Sequence, residues 1–215
     1  MPAAKNIVIL ISGRGSNMEA LLRARLPCRI AAVISNKADA EGLPVAREQG
    51  VATAVVAHKD YASREDFDTA LAQEIDRHQA DLVVLAGFMR ILTPGFVTRY
   101  SGRLINIHPS LLPAYTGVDT HARALRDGVK IHGCTVHFVT PDLDVGPIIL
   151  QAAVPVLQDD TPDTLAARVL HEEHRILPQA VRWLCRDQVR LNAHGRVEVD
   201  RLEQLGTTLI SPGLD

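Results

Sequence analysis

The chain has few cysteines, no block of one charge and no hydrophobic run long enough for a membrane. Cys28, Cys134 and Cys185 are three in number, far apart and without a Cys-x-x-Cys pair. That excludes a disulfide scaffold and fits a reducing compartment, with the three as small core residues. Lys+Arg number 23 against Asp+Glu 25, a formal net charge of -2, and neither sign is clustered. A broad nucleic-acid surface is therefore not expected, and an anionic ligand has to be met locally. No apolar run approaches the ~20 residues that span a bilayer. The N-terminal "MPAAK" runs into "NIVILI" without a long apolar region or a small-residue cleavage site, so the expectation is a cytoplasmic protein that is not exported and has no membrane partner.

What is present is ample apolar material, 47% of 215 residues, enough to bury a sizeable core. Short apolar runs alternate with helical patterns: "NIVILI" with "NMEALLRARL", "RIAAVIS" with "EGLPVAREQG", "VATAVV" with "SREDFDTALAQEIDRH", and "DLVVLAG" with "TPGFVTRY", before "RLINI". Strands with continuous apolar runs between helices predict an α/β fold, a doubly wound, mostly parallel sheet with helices on both faces. Ser63 with Asp66 and Thr93-Pro94 mark helix starts, and Gly50 a helix end. "IHGCTVHFVT" and "GPIILQAAVPV" read as two further strands, joined through "PDLDVG" tightly enough to be antiparallel, which makes the sheet mixed. A long helix is expected over about Thr161 to Cys185, with Thr161-Pro162 at its start. A short hairpin and tail follow. The expectation is one domain over residues 1–190, phosphate-binding in its N-terminal half and catalytic in its C-terminal half, with hairpin and tail at 191–215.

Several chemistries are excluded by what their motifs require. "SGRGSN", residues 12–17, lies between a strand and a helix, where backbone N–H groups and the helix dipole form an anion site, with Gly15, Ser16 and Asn17 as the phosphate ligands. A dinucleotide fingerprint needs a third glycine where Met18 stands and an acidic residue where Ser35-Asn36-Lys37 ends the second strand. A nucleoside-triphosphate loop needs Gly-Lys-Ser/Thr, which is missing. "HEEH", His171 to His174, has the wrong histidine spacing for a zincin, so no metal is expected. There is no Gly-x-Ser-x-Gly for a serine hydrolase.

"INIHPSLLPAYTGVD" is the most informative stretch. Strand periodicity puts Asn106 and His108 on one face at the carboxyl end of the fifth strand, and Pro109 and Pro113 stiffen the chain behind them. An amide and an imidazole together suit a carbonyl under nucleophilic attack, the amide stabilising the oxyanion and the imidazole carrying a proton. An acid is needed to orient the histidine. Asp142 and Asp144 are both candidates, and spacing does not choose between them. His137 has two readings, facing the site or packing within a half-buried strand, and packing is the favoured one. The loop from Leu111 to Lys130 is long and contains Gly117 and Gly128, which makes it a candidate lid.

"LISGRGSN", "LAGFMRIL", "INIHPSLLPAYTG", "GCTVHFVTPDLDVGPIILQ" and "EEHRILP", in that order, resemble the phosphoribosylglycinamide formyltransferases, folate-dependent enzymes of purine synthesis with a Rossmann-like formyltransferase fold. The resemblance implies a catalytic trio of Asn106, His108 and Asp144, and a phosphate loop at Gly15, Ser16 and Asn17. It implies contacts to the ribosylglycinamide part from Gly87, Ile107, Pro109 and Glu173. For the folate it implies Asn106, Met89, Arg90, Ile91 and Leu92 with Thr140, Pro141, Asp142 and Leu143 around the pterin, and Arg64 at the glutamate tail. The co-substrate implied is 10-formyltetrahydrofolate, and the partners are small-molecule substrates, in a monomer or homodimer. The chain departs from bacterial relatives at Asp119, where a histidine is frequent. Rival readings are a formyltetrahydrofolate hydrolase and a non-catalytic phosphoribosyl-ligand sensor. A methionyl-tRNA formyltransferase is disfavoured by the lack of a basic patch.

Overall fold

The computed structural model describes residues 4–200 and Ser211. Nine strands and six α-helices follow in the order β1 (Asn6–Ile11), α1 (Ser16–Arg23), β2 (Arg29–Ser35), α2 (Gly42–Glu48), β3 (Ala52–Val55), α3 (Arg64–Arg77), β4 (Leu82–Leu85), α4 (Pro94–Arg99), β5 (Leu104–His108), α5 (Thr120–Arg126), β6 (Ile131–Phe138), β7 (Ile148–Pro155), α6 (Pro162–Cys185), β8 (Val189–Leu191) and β9 (Val197–Val199), all counted among the described residues. Seven strands form one sheet in the order β3-β2-β1-β4-β5-β6-β7. The β1–β2, β2–β3, β1–β4 and β4–β5 pairs are parallel and β6–β7 is antiparallel. This is the mixed, mostly parallel sheet that the alternation of runs predicts. No helix among the described residues is long and apolar enough to cross a membrane.

The chain divides into two compact units. One contains the described residues up to Asn106 together with Phe138–Asp142, and the other Ile107–His137 with the described residues from Leu143 onward. In the first unit, Val8, Leu10, Ile34, Val83 and Leu85 of the parallel strands pack with Phe67, Leu71 and Ile75 of α3 and with Phe96 and Tyr100. The helix starts are held as their sequences dictate. Ser63 accepts from the Asp66 amide and Thr93 from the Phe96 amide, with Pro94 just inside α4. Strand order reverses between β1 and β4, since β2 and β3 lie on one side of β1 and β4 and β5 on the other. Such a reversal parts the loops that follow the two strands and leaves a ligand crevice at their carboxyl ends.

In the second unit, the antiparallel β6–β7 pair packs against α6. Thr161 and Thr164 form a reciprocal capping box at the start of α6, whose buried stripe runs through Leu165, Val169, Ile176, Leu177 and Ala180. Helix α5 departs from the sequence expectation, which read residues 111–130 as one long loop. Its seven residues bury just Thr120 and Ala124, one helical turn apart, and a face that small gives almost no periodic signal. Strands β8 and β9 pair as a short antiparallel hairpin that begins at Val189, inside the span expected to close the domain. The remainder of the tail lies outside the described residues.

Asp160 fixes the entry to α6. Its carboxylate, 3% exposed, takes a two-pronged bond from Arg168 at 2.6 and 2.8 Å and further bonds from the Leu157 amide and the Thr164 hydroxyl, each at 2.8 Å. The Arg168 guanidinium holds the carboxyl well below the usual carboxylate range. A depressed carboxyl contributes stability that is full above its unfolded pKa and lost as pH falls. Asp160→Asn should therefore lower stability by about 2 kcal/mol at neutral pH, as in thermal melts, with the deficit shrinking below about pH 4. A deficit that stayed constant down to pH 2 would contradict this.

His132 on β6 is 1% exposed, and burial, with His121 and His108 nearby, pushes it down to about 4. A histidine buried neutral favours folding fully above its unfolded pKa of about 6.5, and that contribution is lost as pH falls towards its folded value. Between those limits the wild type should lose up to about 3 kcal/mol more stability than His132→Gln, measured by denaturant melts at each pH. Parallel pH profiles for the two proteins would contradict it.

Candidate active site

Strand β5 reads Leu-Ile-Asn-Ile-His, and its apolar residues Leu104, Ile105 and Ile107 are buried. A strand with an apolar core on both sides has no structural use for an amide and an imidazole, yet Asn106 and His108 stand two apart at its carboxyl end and so project to one side. The chain beyond is tied down at once: the Ser110 amide donates to the His108 carbonyl, and the Thr120 and Thr135 hydroxyls donate to the Pro109 and Ser110 carbonyls.

The His108 ring is 5% exposed as a residue and is held from both nitrogens. Nε2 lies 2.9 Å from the Tyr115 carbonyl, and Nδ1 3.5 Å from Asp144 Oδ2. Both neighbours are oxygen acceptors, so a ring nitrogen that carries a hydrogen donates to the one it faces. Asp144 has 8% of its side chain exposed. It takes a 2.8 Å bond from the Gly117 amide, and its Oδ1 lies 3.9 Å from His137 Nε2. The structure thus brings Asp144 to His108, and places Asp142 in a local turn whose carbonyl accepts from the Thr140 hydroxyl. Tyr115, Gly117 and Asp119 all have positive φ, and that path delivers one carbonyl and one amide to the His108–Asp144 pair. Arg123 braces it by donating to the Thr116 carbonyl at 2.5 Å. Asp119 itself is exposed and occupies the N-cap position of α5 without a side-chain cap bond.

In the first unit, Gly15 caps α1 with φ 78, and a side chain there would meet Met18 at 3.0 Å and the Gly42 backbone at 3.1 Å. Glycine is thus required both for the left-handed turn and for the close approach of α2. Ser16 and Asn17 open α1, where amides are unpaired within the helix and an anion is favoured. Residues 86–93 have no regular structure. Phe88 and Leu92 are buried there, while Met89 and Ile91 are 66% and 58% exposed. Arg90 Nε is buried without a protein partner. Gly87 has φ 75, and Arg64 is exposed at the first turn of α3.

In the second unit, Ile107 is buried, Pro109 follows β5 directly, and Leu143 is 54% exposed. Glu173 sits on the buried stripe of α6 at 7% exposure, a position where an apolar residue would serve packing better. Thr140 and Pro141 belong to the first unit, in the turn after β6. Among the described residues, no group of three or more His, Cys, Asp or Glu is placed to hold a metal ion. Sequence reasoning missed the Tyr115 carbonyl and the Gly117 amide, which are backbone groups without a residue signature. It favoured packing for His137, whose Nε2 the structure sets 3.9 Å from Asp144 Oδ1.

Comparison with known proteins accounts for this pattern. Residues 5–181 match the formyl transferase family model. The chain is 50% identical over 191 residues to the phosphoribosylglycinamide formyltransferase of Escherichia coli, covering 87% of this chain and 90% of that one. It is 46% identical over 195 residues to the human trifunctional purine biosynthetic protein adenosine-3, covering 89% of this chain but 19% of that larger protein. Among solved structures, glycinamide ribonucleotide transformylase 1 from Symbiobacterium toebii superposes with a TM-score of 0.89 at 46% identity, covering 93% of this chain and 95% of that one. The Coxiella burnetii phosphoribosylglycinamide formyltransferase gives 0.88 at 46% identity, covering 92% and 94%. With its match running from the first strand into α6, the chain belongs to the formyl transferase family.

Proposed function

We propose that this protein transfers the formyl group of 10-formyltetrahydrofolate to the amine of phosphoribosylglycinamide, giving formylglycinamide ribonucleotide and tetrahydrofolate in purine biosynthesis. The observation that carries the reading is the buried His108–Asp144 pair at the end of the strand that also presents Asn106. Its relatives' names support the same reading.

The amine lone pair attacks the formyl carbon, and the carbonyl electrons move to oxygen. Asn106 Nδ2–H and the outer N–H of His108 stabilise that oxyanion, as preorganised donors do in acyl transfer. Nδ1 of His108 faces Asp144, so Nε2 is the nitrogen that meets substrate, and the Tyr115 carbonyl at 2.9 Å marks the place from which a substrate oxygen accepts its hydrogen. Residues 111–119 must withdraw Tyr115 for the oxygen to take that place. On collapse the bond from carbon to N10 of the folate breaks, N10 takes a proton, and the attacking nitrogen loses one. Asp144 keeps His108 oriented throughout. Gly15, Ser16 and Asn17 hold the phosphate, while Gly87, Ile107, Pro109 and Glu173 bind the glycinamide ribose portion, Glu173 at its amine. Met89, Arg90, Ile91, Leu92, Thr140, Pro141, Asp142 and Leu143 enclose the pterin, and Arg64 meets the glutamate tail. Exposed Met89 and Ile91 and the unpartnered Arg90 Nε suit a flat, polar-edged heterocycle.

Single-turnover formyl transfer tests the reading. Removing one oxyanion donor costs ~10²–10³ in rate, so Asn106→Ala should slow the chemical step by that factor at saturating folate. His108→Ala should cost ~10²–10⁴. No transfer by the wild type, or a wild-type rate from either variant, would overturn the proposal.

A further inference from the structure

We propose that Ser12 and Asn36 are positioning residues that fix the backbone of the folate segment at residues 87–92 against the start of the phosphate loop, an inference that rests on the formyltransferase reading above. The two loops leave the sheet where strand order reverses, so their strands stop holding them together soon after Leu10 pairs with Leu85. Two backbone bonds continue the ladder, from the Ala86 amide to the Leu10 carbonyl at 2.9 Å and from the Ser12 amide to the Gly87 carbonyl at 3.1 Å. A side chain then takes over: Ser12 Oγ accepts from the Met89 amide at 2.7 Å.

The hydroxyl is not free to turn. It donates its proton to Asn36 Oδ1 at 2.6 Å, which directs its lone pairs towards the Met89 amide. Asn36, 1% exposed just beyond β2, is itself locked, with Nδ2 3.1 Å from His58 Nδ1. The same ring nitrogen is 2.9 Å from the Asn36 carbonyl. Either tautomer ties the ring to Asn36: with hydrogen on Nδ1 that nitrogen donates to the Asn36 carbonyl, and with hydrogen on Nε2 it accepts from the Asn36 amide. The far end of the segment is clamped likewise, by buried Asp68 accepting from the Thr93 amide at 2.6 Å. Between these ties residues 87–92 have no hydrogen-bonded regular structure. Ser12 is 4% exposed, and its contacts to Asn36 and Met89 serve the segment's register.

Full-length wild type, Ser12→Ala and Ser12→Thr are titrated with tetrahydrofolate and, separately, with phosphoribosylglycinamide by calorimetry, alongside thermal melts. Ser12→Ala should weaken tetrahydrofolate binding about tenfold, the effect of one buried hydrogen bond left unmade, and change phosphoribosylglycinamide binding less than about threefold. Ser12→Thr, which keeps the hydroxyl, should restore tetrahydrofolate binding to within about threefold of wild type. A lowered melting temperature with unchanged tetrahydrofolate affinity would show Ser12 to be merely structural and overturn the inference. Hydrogen exchange of the Met89 amide in the wild type adds a test that needs no variant: slow exchange, slowed further by tetrahydrofolate, is expected, and fast exchange indifferent to it overturns the inference. Wild type that binds no tetrahydrofolate would overturn the formyltransferase reading itself.

Discussion

A carboxylate taken out of water has to be met by donors, and Asp144 is the buried carboxylate that His108 and the Gly117 amide meet. With 8% of its side chain exposed, it draws on the Gly117 amide, on His108 and, at longer range, on His137. An isolated buried charge would cost several kcal/mol, so the left-handed residues at 115–119 and the bracing by Arg123 are offset by what they deliver to it. The same requirement orients His108: one ring nitrogen faces Asp144 and the other the Tyr115 carbonyl. The carboxylate therefore does two things at once, holding the loop through Gly117 and the imidazole through Nδ1.

In a parallel arrangement every loop after a strand emerges on the same edge, so residues 12–17, 36–37 and 86–93, which follow β1, β2 and β4, share one edge of the first unit. There, Ser12 and Asn36 join these three loops by side-chain bonds where the backbone ladder has ended. Rigidity at the crevice comes from buried hydroxyl and amide groups, and the exposed Met89 and Ile91 stand on a backbone that those groups hold.

Much of this was legible in the sequence because the relevant physics is local. Continuous apolar runs such as "NIVILI" and "DLVVLAG" belong to strands buried on both faces, and Ser63, Thr93 and Thr161 announce helices through bonds that reach three residues ahead. Asn106 and His108 stood out because two polar residues at strand spacing conflict with the run containing them. Asp144 was separable from Asp142 by the family resemblance but not by spacing, since a turn can present either carboxylate. Helix α5 was invisible because its two buried residues, Thr120 and Ala124, make too narrow a stripe to register. The Tyr115 carbonyl, the Gly117 amide and the Ser12–Asn36 bond were invisible for another reason: the first two are common to every residue type, and the last joins positions 24 apart.

The central claim is that the formyl group passes to an amine and not to water. The most direct measurement mixes the protein with 10-formyltetrahydrofolate, with and without phosphoribosylglycinamide, and follows both tetrahydrofolate and formate. Tetrahydrofolate that forms only when the amine substrate is present, with no formate, is the result the account predicts. Formate released at the same rate whether or not that substrate is added would contradict it, and would leave the loop at residues 12–17 as a tight turn without a ligand.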